Sequence, residues 1–178
     1  YDGDAFEGLP SGQVEDYGAL TRRETLVFRE GQLDRIYGDR RPTYLGGAAS
    51  LPAGAPTDFG QDLGYHRRQD SEPRYHAGYY ADVRRRRYDV QDGSAPDAKG
   101  LVTAMEDSLR HRTEIEPDAY RLFPARMMDP ASLVTQAEYD YRVLKAKTVT
   151  DPNGNATHVR YTPLGLVRQR FLQGRAGD

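Results

Sequence analysis

The 178-residue chain has neither cysteine nor tryptophan. Without thiols it has no disulfides and no thiolate metal sites, and nothing marks its redox compartment. A chain that must cross oxidising space loses nothing by lacking them. No apolar run approaches the ~20 residues of a helical membrane span, so direct membrane insertion is not expected. The formal net charge is only -2, too small a field to recruit nucleic acid or an anionic surface. Apolar residues make up 37% and charged residues 29%, which argues against a large buried volume per residue. There is no starting Met and no signal peptide, and the abrupt opening at Tyr1-Asp2-Gly3 reads as part of something longer.

What is present is tyrosine, glycine and proline: 13, 18 and 11 residues. Tyrosine suits half-buried sheet surfaces, with an apolar ring and a wet hydroxyl. Glycine and proline imply many turns. Residues 1–98 read as a loop-rich segment with short strands and one short helix. Thr21 and Glu24 have capping-box spacing, and Leu26, Phe28, Leu33, Ile36 and Tyr37 then predict a helix over about 24–37, stopped by Gly38. Gly31 weakens that helix by ~1 kcal/mol relative to Ala. Residues 42–73 predict a long loop rich in Gly and Pro. Tyr75, Tyr79, Tyr80, Val83, Tyr88 and Val90 predict a strand over about 75–91, followed by a connector through Asp97.

From residue 99 to 178 the sequence matches itself at a period of 22. Asp107, Asp129 and Asp151 keep that step, as do Thr113, Thr135 and Thr157, and Leu122, Leu144 and Leu166. Met105, Met127, Val149 and Phe171 stay apolar at the same interval, as do Ile115, Ala137 and Val159. A fixed period of this size indicates stacked supersecondary units. Two strands and two tight turns fill ~22 residues, so the units are antiparallel hairpins. Asp151-Pro152-Asn153-Gly154 is a turn with a mechanism, since Pro presets φ and Gly accepts a positive one. Turns are expected near 107–110, 117–121, 129–132, 140–143, 151–154 and 162–165. Leu144 and Val149 have opposite parity, which a bulge or a two-sided sheet would reconcile.

Tyr139-Asp140 followed by Asp151-Pro152-Asn153-Gly154 resembles the RHS or YD repeat. Other copies are worn: Pro117-Asp118 lacks the Tyr, Tyr161-Thr162 lacks the Asp, and Arg110 and Ser132 replace the turn Gly. Blocks earlier in the chain, Phe6-Glu7-Gly8-Leu9-Pro10, Gly18-Ala19-Leu20, Gly78-Tyr79-Tyr80 and Arg86-Arg87-Tyr88-Asp89, extend the resemblance to the B component of bacterial tripartite insecticidal toxin complexes. The resemblance implies a mainly β fold, an RHS hairpin array forming part of a hollow shell. It implies a secreted virulence factor whose partners are the rest of the B component, the C component with its enclosed cytotoxic cargo, and indirectly the A pore. It implies no enzyme activity, no cofactor and no nucleic-acid partner. A fragment of another RHS or YD-repeat toxin or cell-surface protein is a second reading. A third is a carried toxin enzyme such as an ADP-ribosyltransferase, which the 22-residue repeat argues against.

Searching the residues directly for chemistry yields no catalytic or metal-binding set. Arg84-Arg85-Arg86-Arg87 could bind phosphate, but alternation puts only two of the four on one strand face, and nearby Asp82, Asp89 and Asp92 offer ion pairs. Asp151, Asn153 and Asn155 imitate the start of a calcium loop, yet Ala156 and Thr162 stand where Gly and Glu are needed. His66, His76, His111 and His158 lack zinc-site spacing. Neither a Gly-x-Ser-x-Gly elbow nor a phosphate-binding glycine loop is present.

Overall fold

The computed structural model of the protein describes residues 2–10, 12–42, 64–68, 76–92 and 98–175. The chain is mainly β. Its strands are β1 (Arg22–Arg29), β2 (Tyr65–Arg68), β3 (Gly78–Tyr88), β4 (Val102–Glu106), β5 (Arg112–Pro117), β6 (Pro124–Met128), β7 (Val134–Asp140), β8 (Lys145–Thr150), β9 (Ala156–Tyr161) and β10 (Val167–Gln173). Among the described residues one α-helix, α1 (Glu30–Tyr37), accompanies them. No helix among the described residues is long and apolar enough to cross a membrane. The chain divides into two compact units: residues 1–87 with 105–111, and residues 88–104 with 112–178.

In the first unit β3 is central, pairing antiparallel with both β1 and β2. Leu33 of α1 and Tyr79 of β3 are buried together, with Phe28 and Tyr65 packed against them. The predicted helix over 24–37 is corrected here: residues 22–29 are a strand, and only Glu30–Tyr37 is helical. Burial in β1 alternates residue by residue, so Leu26 and Phe28 share the inner face with Glu24. The Thr21–Glu24 cap does not form. Thr21 is fully buried and its hydroxyl donates to the Asp2 carbonyl at 3.1 Å, while Glu24 reaches Arg68. The helix is capped instead by Gln32, whose side-chain oxygen accepts from the Arg29 amide at 3.3 Å. Gly31 thus falls in the first helical turn. Gly38, at φ 50°, ends the helix.

The expected 42–73 loop is corrected at Tyr65–Arg68, which is a strand; residues 43–63 and 69–73 lie outside the described residues. The expected strand over 75–91 is shorter, Gly78–Tyr88, and ends in a 3-10 turn at Asp89–Asp92. Of the connector, residues 93–97 lie outside the described residues.

The second unit is a meander. Each of β5 to β9 pairs antiparallel with the next strand in sequence. Cross-strand rows run through it, Ile115–Met127–Thr135 and Ala137–Val149–Thr157–Leu172. The parity conflict between Leu144 and Val149 resolves as a bulge: the register slips between Glu138 and Tyr139, and Leu144 leaves the strand at φ 54°. No described residue from 119 to 175 is buried.

Candidate functional site

The hairpin turns are the most regular feature. They begin at Asp107, Asp118, Asp129, Asp140, Asp151 and Thr162, a step of eleven residues and half the sequence period. In each, the amide three positions on donates to the first residue's carbonyl: Arg110, Arg121, Ser132, Val143, Gly154 and Gly165, at 2.9–3.2 Å. The opening side chain then collects further amides. Asp129 Oδ1 accepts from Ala131 and Leu133, both at 2.9 Å. Asp151 Oδ1 accepts from Asn153 and Asn155, and its Oδ2 from the Asn155 side chain at 3.0 Å. Asp107 accepts from Leu109 and His111, and Asp118 from Leu122. Thr162 substitutes its hydroxyl, which accepts from Leu166 at 3.2 Å. This is the Asx-turn device, in which a short polar side chain stands in for a backbone carbonyl.

The fourth turn residue takes a positive φ: 66° at Arg110, 54° at Arg121, 63° at Ser132, 87° at Gly154 and 75° at Gly165. A four-residue turn closed by a left-handed residue is a common hairpin connection. Only the Asp140 turn departs, its positive φ falling one residue later, at Leu144. Four of the turn aspartates, Asp107, Asp118, Asp140 and Asp151, ionise more readily than a free carboxyl. At Asp151 the Asn155 side chain, then the backbone amides, hold the carboxyl below its usual range; at Asp140 the Arg142 guanidinium leads. At Asp107 and Asp118 burial pulls the carboxyl upward, but amides and a His111 or Tyr141 partner outweigh it.

The repeat tyrosines act alike. Tyr139 donates its hydroxyl to the Pro124 carbonyl at 2.8 Å, and Tyr161 to the Ala146 carbonyl at 2.7 Å, each fifteen residues back. The Tyr139 ring stacks on Phe123 at 4.6 Å, and Lys145 Nζ sits 5.6 Å from the Tyr161 ring centre. The Tyr141 hydroxyl donates to Asp118 at 2.8 Å, and that carboxylate pushes its pKa up to about 12. Thr113, Thr135 and Thr157 are half-buried on β5, β7 and β9. Leu122, Leu144 and Leu166 follow the turns and are exposed. An apolar groove of about 310 Å³ lies beside Leu122 alone of the three, lined also by Val102, Ile115, Phe123 and Met127 among others.

The first unit holds a second cluster. Arg85, 1% exposed, donates to Asp82 at 2.8 Å and to Glu7, with Glu106 at 3.4 Å. The middle of the arginine run is therefore an enclosed ion-pair centre. The fold also brings ligand atoms of Glu24, His66 and Asp82 within 4.8 Å of one another, a carboxylate–imidazole set that could in geometry hold a metal. Its charge is already balanced. Both Glu24 oxygens accept from Arg68, at 2.7 and 2.9 Å, and Arg22 approaches Glu24 at 3.0 Å. Burial pulls the Glu24 pKa upward, but His66, Arg68 and Arg22 reverse this and hold it at about 2. A cation entering here would have to displace guanidinium groups, so the arrangement fits an ion-pair cluster better than a metal site. Asp2 is a third buried acid. Its carboxylate accepts from the amides of Glu15, Gly18 and Ala19 at 2.6–2.9 Å, knotting the opening segment.

Sequence reasoning missed Asp2 and Glu24, whose partners lie far along the chain, whereas Asp82, offered to the arginine run, does pair with Arg85. The turn expected near 117–121 is present, and Asp118 opens it as Asp107 opens its own. Asp89, offered to the arginine run, instead accepts from the Lys99 and Leu101 amides and from Arg121 at 2.6 Å.

A mainly antiparallel hairpin meander with amide-capped aspartate turns defines this as a mainly β repeat fold. No family model matches the chain, and no curated protein does. Among solved structures, it is similar to a crystal structure of TcdB2-TccC3-TEV, with a TM-score of 0.65 and 19% identity over 96% of this chain. It is similar to TcdB2-TccC3-Cdc42, with a TM-score of 0.63 and 20% identity over 86%. A Tc holotoxin pore of Photorhabdus luminescens carrying a TccC3 mutation gives a TM-score of 0.63 at 19% identity. At this identity the likeness is one of fold. The chain spans 7% of the length of the first two.

Proposed function

We propose that this chain is a structural segment of an RHS-type β-shell in a secreted insecticidal toxin complex, helping to enclose a cytotoxic cargo. The observation that carries the reading is the eleven-residue hairpin ladder whose residues 119–175 include none that is buried. A repeat of this kind buries its apolar groups only against further neighbours. The fold likeness to TcdB2-TccC3 structures supports the same class of assembly. The partners proposed are the remainder of a B component and a C component with its enclosed cargo, and through them an A pore. No catalytic role is proposed. Among the described residues, the ladder aspartates are taken up by backbone amides, and Glu7, Glu24 and Asp82 of the first unit by arginines, which supports the structural reading.

The test is assembly. The chain in its parent protein is co-expressed with a C component, and cargo survival is measured under limited proteolysis. Deleting one 22-residue unit, 129–150, is expected to leave the cargo accessible to protease. Continued full protection would refute the shell role. Saturable turnover by the isolated chain, abolished by a point mutation, would refute the structural reading.

A further inference from the structure

The chain has two asparagines, Asn153 and Asn155, and both lie in the turn region between β8 and β9. None of the other five ladder turns contains one. Asparagine is a chemically labile residue, and the two stand in different surroundings. Asn153 is followed by Gly154, which has no side chain to screen its own amide nitrogen, and both are exposed. Among the described residues, nothing hydrogen-bonds the Asn153 side-chain amide. The Asn155 side chain, by contrast, donates to Asp151 Oδ2 at 3.0 Å. Asn155 is followed by Ala156, whose methyl crowds the nitrogen and which pairs with Thr150 across β8 and β9.

We infer that Asn153 is a site of spontaneous deamidation and that the turn opened by Asp151 gates the reaction. The Gly154 nitrogen gives up its proton to hydroxide and bonds to Asn153 Cγ. The Cγ–Nδ2 bond breaks and, with a proton from water, ammonia leaves, closing a succinimide ring. Water then adds to either ring carbonyl and opens the ring, to aspartate or isoaspartate. Water and hydroxide are the only co-reactants. The gate is the bond that closes the turn: Gly154 N–H donates to the Asp151 carbonyl at 3.0 Å. The nitrogen must lose that proton to attack, so the bond has to break first. Asp151 Oδ1 also holds the Asn153 and Asn155 amides, both at 2.9 Å, which keeps the turn closed. Reaction therefore runs from the opened hairpin, at a rate set by how often it opens. The product places a new carboxylate two residues from Asp151, and isoaspartate also lengthens the main chain by one carbon inside the turn. The site stands on this hairpin alone, whatever assembly the chain serves.

The test incubates the 178-residue chain at mildly alkaline pH, beside a sample unfolded in guanidinium chloride. Mass spectrometry of the peptide spanning β8 and β9 follows the gain of one mass unit, and chromatography separates the isoaspartate form. The unfolded chain is expected to deamidate at Asn153 at least about tenfold faster than the folded one. Asn155 should lag in both. Asp151→Ala removes the acceptor of the Asn153 and Asn155 amides. It should raise the folded rate several-fold, in step with hydrogen exchange at the Gly154 amide, and leave the unfolded rate unchanged. If that variant does not fold, guanidinium below the unfolding transition replaces it, and the rate should track Gly154 exchange in the same way. Asn153→Gln should abolish the product. Equal rates in the folded and unfolded chains, or a rate that stays flat while Gly154 exchange rises, would overturn the gate. Modification mainly at Asn155, or an unfolded chain that keeps Asn153 intact, would overturn the site.

Discussion

In the first unit Arg85 and Thr21 are as enclosed as Leu33, and Asp2, Asp82 and Glu24 are nearly so. In the second, from residue 119 onward, no described residue is buried, and Leu164 stands 87% exposed. The first unit is specified by long-range charge pairs, such as Arg68 with Glu24 across 44 residues of sequence. The second is specified by local bonds, an aspartate to the amides two and four positions on. The two regions therefore fail in different ways. Removing one member of an enclosed charge network strands its partners without solvent, whereas damage to one hairpin turn stays within that hairpin and its neighbours.

The largest effect is expected from Arg85→Met. It leaves Asp82 and Glu106 with only the more exposed Arg110 between them, at 3.8 and 3.9 Å, at a cost of about 3–5 kcal/mol. Chemical denaturation should show the first unit lost while hydrogen exchange in β7–β9 persists. Simultaneous loss of both would erase the distinction between the units.

Acid should separate them next. Glu24 has a folded pKa of about 2 against an ordinary value of 4.5. A depressed carboxyl pKa contributes stability that is complete above the unfolded value and is lost as pH falls toward the folded one. The first unit should therefore weaken between about pH 4.5 and pH 2, by on the order of 3 kcal/mol from this group. Glu24→Gln should flatten that part of the pH–stability profile. An unchanged acid limb in the variant would remove Glu24 from the account.

A smaller effect is expected within the ladder. Gly154→Val puts a β-branched residue at φ 87°, with a Cβ 3.3 Å from Arg175 Cγ, and should cost about 1–3 kcal/mol. Gly154→Ser should be milder, because Ser132 already holds the equivalent place at φ 63°. A melt that ranks the two alike would show that the left-handed residue does not limit the turn. The least effect is expected from Ser132→Gly, which relieves that conformation and should stabilise by about 0.5–1 kcal/mol. Destabilisation instead would mean that the Ser132 side chain contributes something the turn geometry does not reveal.

The repeat region was the more legible half. Its turns rest on Asp, Pro and Gly acting over four residues, and its strands on alternation, both of which are written locally. Even there, the turns expected at 117–121 and 140–143 were read as a second set, apart from Asp107, Asp129 and Asp151, although all six open on one eleven-residue step. Alternate turns differ in their middle residues, and only the shared hydrogen-bond pattern makes them one device. The first unit misled. Thr21 and Glu24 have the spacing of a helix cap, but each has a stronger partner brought in from elsewhere, the Asp2 carbonyl for one and Arg68 for the other. Leu26 and Phe28 fit a strand face as well as a helical stripe, and pairing with β3 decided between them.

The sequence by itself determined the hairpins: short-range turn chemistry and period-two alternation need no distant residue to act. It also determined that glycine or a substitute would close each turn, because the left-handed conformation is a property of four consecutive residues. Only the tertiary structure decided which charges became interior. Glu24, Asp82 and Arg85 are unremarkable in a chain with 29% charged residues. They form one enclosed network because β1, β2 and β3 set them side by side. An ion pair's worth depends on the solvent excluded around it, and that exclusion is created by the packed strands together, not by any segment alone.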